Sequence, residues 1–319
     1  MNKDSNISIK AELVHCKQAD MNELLNRFAK FLDVSSSSVH TYKFCIRRFL
    51  QFLNENGITN PNRENVLTYK KELISKNFKS STVALYLSSI RRFFTWLESE
   101  NLYSNITAGI KSPKQDKGHR RDAFSALQLQ SIIGAMKHET LQGKRDYAIF
   151  CLIASCGLRT VEVMRADVGD MREMSGSTVL YVCGKGRSSK SEFVKLAQPV
   201  VDAIREYLRM RAMSGEVSEN EPLFASCSRR NNGQRLTTKT VSTVCKSAMR
   251  MAGFDNSRLT AHSLRHSAVT IALLAGCSLQ EVCSFARHAS VSTTMIYSHD
   301  CERLKSQVES SIADALFAA

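Results

Sequence analysis

Four short patterns in the second half of this 319-residue chain carry side chains suited to chemistry. Gly157-Leu158-Arg159-Thr160-Val161-Glu162 sets an arginine just beyond a helix-stopping glycine, with a carboxylate three residues on and so on the same helical face. Gly184-Lys185-Gly186 puts a lysine at the tip of a turn. His262-Ser263-Leu264-Arg265-His266 places a histidine at a helix start and an arginine about one turn further, and His288 is followed nine residues later by Tyr297. Arginine stays protonated at any working pH and its fork binds two oxygens at once, which makes Arg159 and Arg265 candidates for an oxyanion clamp. Histidine and lysine move protons, and a tyrosine phenol, with a pKa near 10, becomes a nucleophile when a positive field and a base remove its proton.

Each pattern has an ordinary structural reading when taken singly. Arg-x-x-Glu is commonly an intrahelical ion pair, a glycine-flanked lysine a solvated turn, a histidine at a helix start a cap, and a late tyrosine in an apolar helix a packing residue. The joint order, Arg, turn Lys, His-x-x-Arg, His, Tyr, is what separates this chain from those readings.

The elements that must position these groups are mostly helical. Ser38 precedes a stretch whose apolar residues Val39, Tyr42, Ile46, Phe49, Leu50 and Leu53 recur at helical spacing until Gly57. Ser81 to Leu97 repeats the layout with Val83, Tyr86, Ile90, Phe93, Phe94 and Leu97. The outer face of the first helix carries His40, Lys43 and Arg47, and that of the second Ser88, Arg91 and Arg92, either as solvated charge or as a pair of DNA-gripping surfaces. Thr178–Cys183 and Glu192–Leu196 are short β-prone runs joined by GKGRSSKS, which predicts a small antiparallel hairpin between helices. Beyond it, Thr260 to Ser298 parses as three helices. The first stops at Gly276, the second opens with the capping-box pattern Ser278-x-x-Glu281, and the third is capped by Ser290 and carries Tyr297. Leu304, Val308, Ile312 and Leu316 predict an amphipathic tail, which packs either on its own domain or on a neighbouring protomer.

Composition narrows the class. Lys+Arg number 44 against 30 Asp+Glu, a net charge of +14, with a pI near 9.4, the balance of a protein with a polyanionic partner. Residues 111–121, KSPKQDKGHRR, hold five Lys/Arg against one Asp and no anchoring hydrophobic residue, so they are expected to form a basic linker, with Lys111, Lys114, Lys117, Arg120 and Arg121 along a phosphate backbone. The division expected is an extension over 1–20, a helical domain over 21–110, the linker over 111–121, and a catalytic domain over 122–319 with its tail from about 302. The longest uncharged apolar stretches, Tyr147–Leu158 and Ser267–Leu279, fall short of the ~20 residues a membrane-spanning helix needs. The opening residues carry no secretory signal pattern, so a cytoplasmic location with no membrane partner is expected. Ten scattered cysteines with no Cys-x-x-Cys pair read as reduced thiols, and no metal site is expected.

Taken together, the motifs are similar to those of the tyrosine recombinases of the phage-integrase and Xer type, over roughly residues 20 to 310. Gly-Leu-Arg-x-x-Glu matches the family's first motif, His262-x-x-Arg265 its second, and His288 with Tyr297 its third. Ser38-x-x-Thr41-Tyr42 and SSIRRFFTWL resemble its core-binding domain. One departure stands out: the glycine usual before the third-motif histidine is Arg287 here. The resemblance implies a mainly α fold with a small antiparallel β-element, a helical SAM-like core-binding domain, and a mixed α+β catalytic domain, the two forming a C-shaped clamp around DNA. It implies a site-specific recombinase acting through a 3′-phosphotyrosyl intermediate as an integrase/excisionase, resolvase or invertase, without metal or nucleotide cofactor. Its partners would be double-stranded DNA with inverted-repeat core sites and a homotetramer, or a heterotetramer with a second recombinase. Under it Tyr297 is the nucleophile, Arg159, Arg265 and His288 bind the phosphate, and His262 is base or proton relay. Lys185 protonates the leaving 5′ oxygen, with Lys190 its rival, and Glu162 orients Arg159. A type IB topoisomerase and a catalytically silent DNA-binding protein are the alternatives.

Overall fold

The computed structural model describes residues 18–114, 122–184, 187 and 189–317. They fall into two compact units that divide within the 111–121 segment. The first unit is four helices, α1 (Gln18–Phe31), α2 (Ser36–Glu55), α3 (Arg63–Ser75) and α4 (Ser80–Ser99). α2 begins three residues earlier than the Ser38 signal predicts, with Ser35 in the cap position but making no side-chain capping bond. All six apolar positions expected inside α4 are buried, and in α2 Ile46, Phe49, Leu50 and Leu53 are. The core is aromatic: Phe28 meets Phe93 edge-on at 5.3 Å, and Phe49 meets Tyr69 at 5.2 Å. Such pairs add directional attraction to the burial of large rings.

The second unit is built around α6 (Leu141–Cys156), whose residues from Ala148 to Ala154 are buried on all sides. A helix that is apolar all round must lie inside its domain. α8 (Gln198–Ala212), α9 (Thr238–Met251) and α10 (Ala261–Leu274) surround it, with α5 (Ala126–Ala135) and the one-and-a-half-turn α7 (Thr160–Arg165) completing the shell. The β-element is larger than the two expected strands. β1 (Met171–Met174) joins β2 (Ser177–Val182) and β3 (Glu192–Lys195) in an antiparallel sheet of order β1-β2-β3. Residues 171–174, MREM, lack the β-branched pattern that announces a strand, so this edge strand forms through its turn and its register, Met174 opposite Ser177.

The chain ends in α11 (Leu279–Ala286), α12 (Val291–Lys305) and α13 (Val308–Phe317). The Ser278–Glu281 capping box forms as read, with Ser278 Oγ accepting from Glu281 N and the carboxylate accepting from Ser278 N at 2.8 Å. α13 is a helix of its own with no buried residue, and Val308, Ile312, Leu316 and Phe317 stand exposed, Phe317 by 81%. Among the described residues, the apolar stripe of α13 therefore does not pack on its own domain. The eight described cysteines are free thiols, and among the described residues no acidic, histidine or cysteine group is set to hold a metal ion. No described helix is long and apolar enough to cross a membrane.

Candidate active site

Three of the four patterns converge where α7, α10, α11 and α12 meet, and of the fourth, Gly184 lines the cavity beside them. Gly157 ends α6 with a left-handed backbone, φ +59°, and a Cβ there would lie 3.2 Å from the Phe285 ring. The tight turn lets the next residues approach α11, and glycine is the residue that permits both. Arg159 then occupies the N-cap of α7 rather than sharing a helical face with Glu162. Glu162 reaches back to accept from the Arg159 backbone N at 2.7 Å with one oxygen and from Arg159 Nη1 at 2.9 Å with the other. The pair is a cap and an ion pair at once.

Glu162 is fully buried and has a second cation, Arg287 Nη2, at 2.9 Å. Burial pushes its carboxyl up, but Arg287, the Arg159 amide and Arg159 outweigh that and hold it below the usual carboxylate range. Arg265 is buried in α10 and donates from Nη1 to Gly157 O at 2.5 Å and from Nη2 to Ala286 O. Arg159 Nη2 donates to Arg287 O at 3.4 Å, and Arg287 Nη1 to Phe285 O at 2.8 Å. Three guanidiniums thus gather on the last carbonyls of α11, the end of a helix where its dipole favours cations. Burial and the neighbouring charges of Arg159 and Arg287 lower the pKa of Arg265 to about 10, so it remains charged at neutral pH.

His288 follows the α11 cap. Its Nδ1 pairs with the hydroxyl of buried Thr294 at 2.8 Å. Burial first, then the charges of Arg265, Arg159 and Arg287, lower its pKa to about 4. It is a neutral imidazole, and with Thr294 donating to Nδ1 its Nε2–H is a donor for an anion. A cavity opens beside it, lined by Arg159, Arg287 and His288 on one side and by Gly184, Arg187 and Glu192 of the β2–β3 connection on the other.

Tyr297, from the second turn of α12, is 8% exposed and packs on Val269, Leu273, Val282 and Ala286. Its ring lies parallel to His288 at 6.3 Å, and its phenol is an electrostatic neighbour of Arg265. The hydroxyl hydrogen-bonds Nδ1 of His266, not His262. His262 is exposed, with its ring edge-on to His266 at 4.4 Å. The ring that meets the Tyr297 hydroxyl is therefore the second histidine of His262-Ser263-Leu264-Arg265-His266. The sequence signal was the four-residue spacing that stacks the two rings one turn apart. Thr294 and Arg287 are the other participants the motif reading left without a role.

Lys185 lies outside the described residues, as do Lys117, Arg120 and Arg121. Its rival Lys190 is held by Asp167 and Asp170, both at 2.5 Å; burial lowers its pKa, but these two partners outweigh that and raise it. An ammonium so paired is a structural anchor of the hairpin. Arg165 fastens the same hairpin, donating to Gly184 O at 3.0 Å and Arg187 O at 3.3 Å. In the first unit His40, Arg47 and Arg92 are exposed, and Ser88 and Lys43 partly so. Lys43 donates to Asn26 at 2.7 Å and Arg47 to Asn22 at 3.2 Å, while Arg91 donates inward to Ile110 O and Ser112 Oγ, bracing the chain where it leaves α4. Lys111 and Lys114 are exposed.

The phage integrase family matches residues 123–303, and the N-terminal SAM-like domain of phage integrases matches residues 24–101. The tyrosine recombinase XerC of Herpetosiphon aurantiacus is 28% identical over 88% of this chain and 91% of its own length. The tyrosine recombinase XerD of Proteus mirabilis is 31% identical over 73% of this chain and 72% of its own. In fold, the chain resembles the XerH site-specific recombinase bound to palindromic difH substrate in a post-cleavage complex, with a TM-score of 0.70 at 18% identity, over 93% of this chain and 84% of that one.

Proposed function

Because the chain belongs to the phage integrase family, as a tyrosine recombinase of the Xer type, we propose that it is a site-specific DNA recombinase in which Tyr297 cleaves and rejoins strands. The phenolic oxygen attacks the phosphorus and forms a 3′-phosphotyrosyl bond. The bond to the 5′ oxygen breaks, and that oxygen leaves with a proton. The attacking phenol gives its own proton to His266, with exposed His262 edge-on to it as the relay to solvent. Arg159, Arg265 and neutral His288 donate to the nonbridging oxygens, where negative charge grows as attack proceeds. Lys185, the residue after Gly184 in the sequence, is the proton donor to the leaving oxygen. A 5′ hydroxyl from a second duplex then attacks the phosphotyrosine and reverses each transfer, so one phosphoester is exchanged for another of similar energy.

The observation that carries this reading is the placement of Tyr297, with its hydroxyl on His266 and its ring beside His288 and the arginines. Exchange between two duplexes uses four tyrosines, so the working assembly is a tetramer on inverted-repeat core sites, of this chain alone or with a second recombinase. The exposed stripe of α13 is the element suited to join its protomers. The SAM-like unit grips the flanking duplex through His40, Lys43, Arg47, Ser88 and Arg92, with Arg91 and the linker basic residues Lys111, Lys114, Lys117, Arg120 and Arg121 nearer the junction. DNA places the work in the cytoplasm. Incubation with a nicked suicide duplex tests the chemistry on a denaturing gel. A protein–DNA adduct absent in Tyr297→Phe is expected, and equal gel shifts with no adduct would make the protein a silent binder. Transfer of the trapped strand to a second duplex distinguishes recombination from relaxation.

A further inference from the structure

Arg287 carries costs that its ion pair with Glu162 and its bond to Phe285 O leave partly unmet. Its backbone sits at φ +51°, a left-handed conformation that strains any residue bearing a Cβ. Its side chain is only 4% exposed, and among the described residues its Nε–H is the buried side-chain donor with no hydrogen-bond partner. It also places a third guanidinium in a cluster whose carboxylate partner, Glu162, already has Arg159 at 2.9 Å. Strain, an unmet donor and surplus like charge in one buried residue are costs tolerated where a bound anion relieves them.

Counting charges shows what the surplus does. Arg159 and Glu162 alone would nearly cancel, leaving Arg265 as the net cation facing a phosphate. With Arg287 on the second oxygen of Glu162, the four groups carry +2, and the carboxylate's charge is shared between two guanidiniums. We propose that Arg287 is a positioning residue for strand cleavage: by taking a share of Glu162, it leaves Arg159 with an unneutralised guanidinium for the scissile phosphate. The inference rests on the reading that this site cleaves a phosphodiester. Arg287 lines the same cavity as Arg159 and His288, so its charge acts at the place where the phosphate binds.

The test is single-turnover adduct formation on the nicked suicide duplex by the full-length protein, with duplex affinity measured by gel shift. Arg287→Met is expected to slow the adduct about 10- to 100-fold with affinity little changed. Arg287→Lys, which restores the charge without the fork, is expected to stay within about fivefold of the unsubstituted protein. In a Glu162→Gln background, where no carboxylate charge falls on Arg159, the Arg287→Met step is expected to cost less than about threefold. Arg287→Gly, which suits the left-handed turn, takes the place of Arg287→Met if the latter does not fold. Adduct rates equal to the unsubstituted protein, an Arg287→Lys variant as slow as Arg287→Met, or an undiminished cost in the Glu162→Gln background would each overturn the inference. Absence of adduct from the unsubstituted protein would instead overturn the proposed function.

Discussion

A half-buried imidazole kept neutral and held at one nitrogen is a hydrogen-bond donor of fixed direction, and that is the condition of His288. Its tautomer depends on the Thr294 hydroxyl, three residues before Tyr297 and on the same helix. Thr294→Val keeps the volume and removes the bond; adduct formation is expected to fall about tenfold with the melting temperature little changed, since one donor to a developing oxyanion then loses its orientation. His288 also makes a pH prediction. Its folded pKa, about 4, lies below the ordinary 6.5, so the unfolded chain binds the extra proton between those values. Stability is therefore full above about pH 6.5 and falls as the pH drops towards 4. Melting temperatures from pH 7 to pH 5 are expected to decline, and His288→Gln to shallow the decline. A slope unchanged by that substitution would assign the acid sensitivity to other groups.

At the scale of elements, the site is an assembly of helix ends. α6 ends at Gly157, α7 is capped by Arg159, and α11 ends under three arginines, so backbone groups that a helix leaves unpaired become the partners of the candidate site's side chains. α11 has little burial of its own to rely on beyond Val282 and Ala286, and its capping box contributes accordingly. Ser278→Ala is expected to cost about 1 kcal/mol of stability, read by denaturant unfolding, and to slow cleavage more than it slows DNA binding, because the shifted helix end carries Ala286 O and His288 with it. The β2–β3 hairpin is anchored at its feet in the same way. Asp167 bridges Lys190 and Arg235, and Arg165 holds the carbonyls of Gly184 and Arg187 in the β2–β3 connection.

At the scale of the whole molecule, the two units each bury their own core, so they are expected to behave as separate folding units. Mild proteolysis within the 111–121 segment should release two fragments that keep their helical circular dichroism, with cooperative melting of each. α13 buries nothing on its own domain, so removing residues 306–319 should leave melting within about 0.5 kcal/mol and still allow cleavage of a suicide duplex. The truncation should impair strand transfer between duplexes, checked by following recombinant product against adduct. Loss of cleavage itself would mean that the tail supports the site directly. DNA affinity should fall with salt, and the combined Arg47→Gln and Arg92→Gln substitutions should reduce the slope of log K against log salt by about 2 if both contact phosphates.

Much of this was written into local sequence. Helical periodicity located α2, α4, α10, α11 and α12 to within a few residues, because burying one face against any core produces the same spacing. Arg159, Arg265, His288 and Tyr297 stood out by type and order as candidates, since a phosphate-transfer site needs fixed cations and a nucleophile whatever the fold, and the tertiary structure brings them together. β1 was not legible, because an edge strand of charged and methionine residues owes its existence to its neighbour. The partner of the phenol was not legible either: His262 and His266 are chemically alike, and only the packing of α12 against α10 decides which ring meets Tyr297. Arg287 shows the same limit most plainly. In the sequence it is a replaced glycine; only the convergence of α7 on the end of α11 sets its guanidinium against Glu162 and makes a turn residue part of the charge balance of the site.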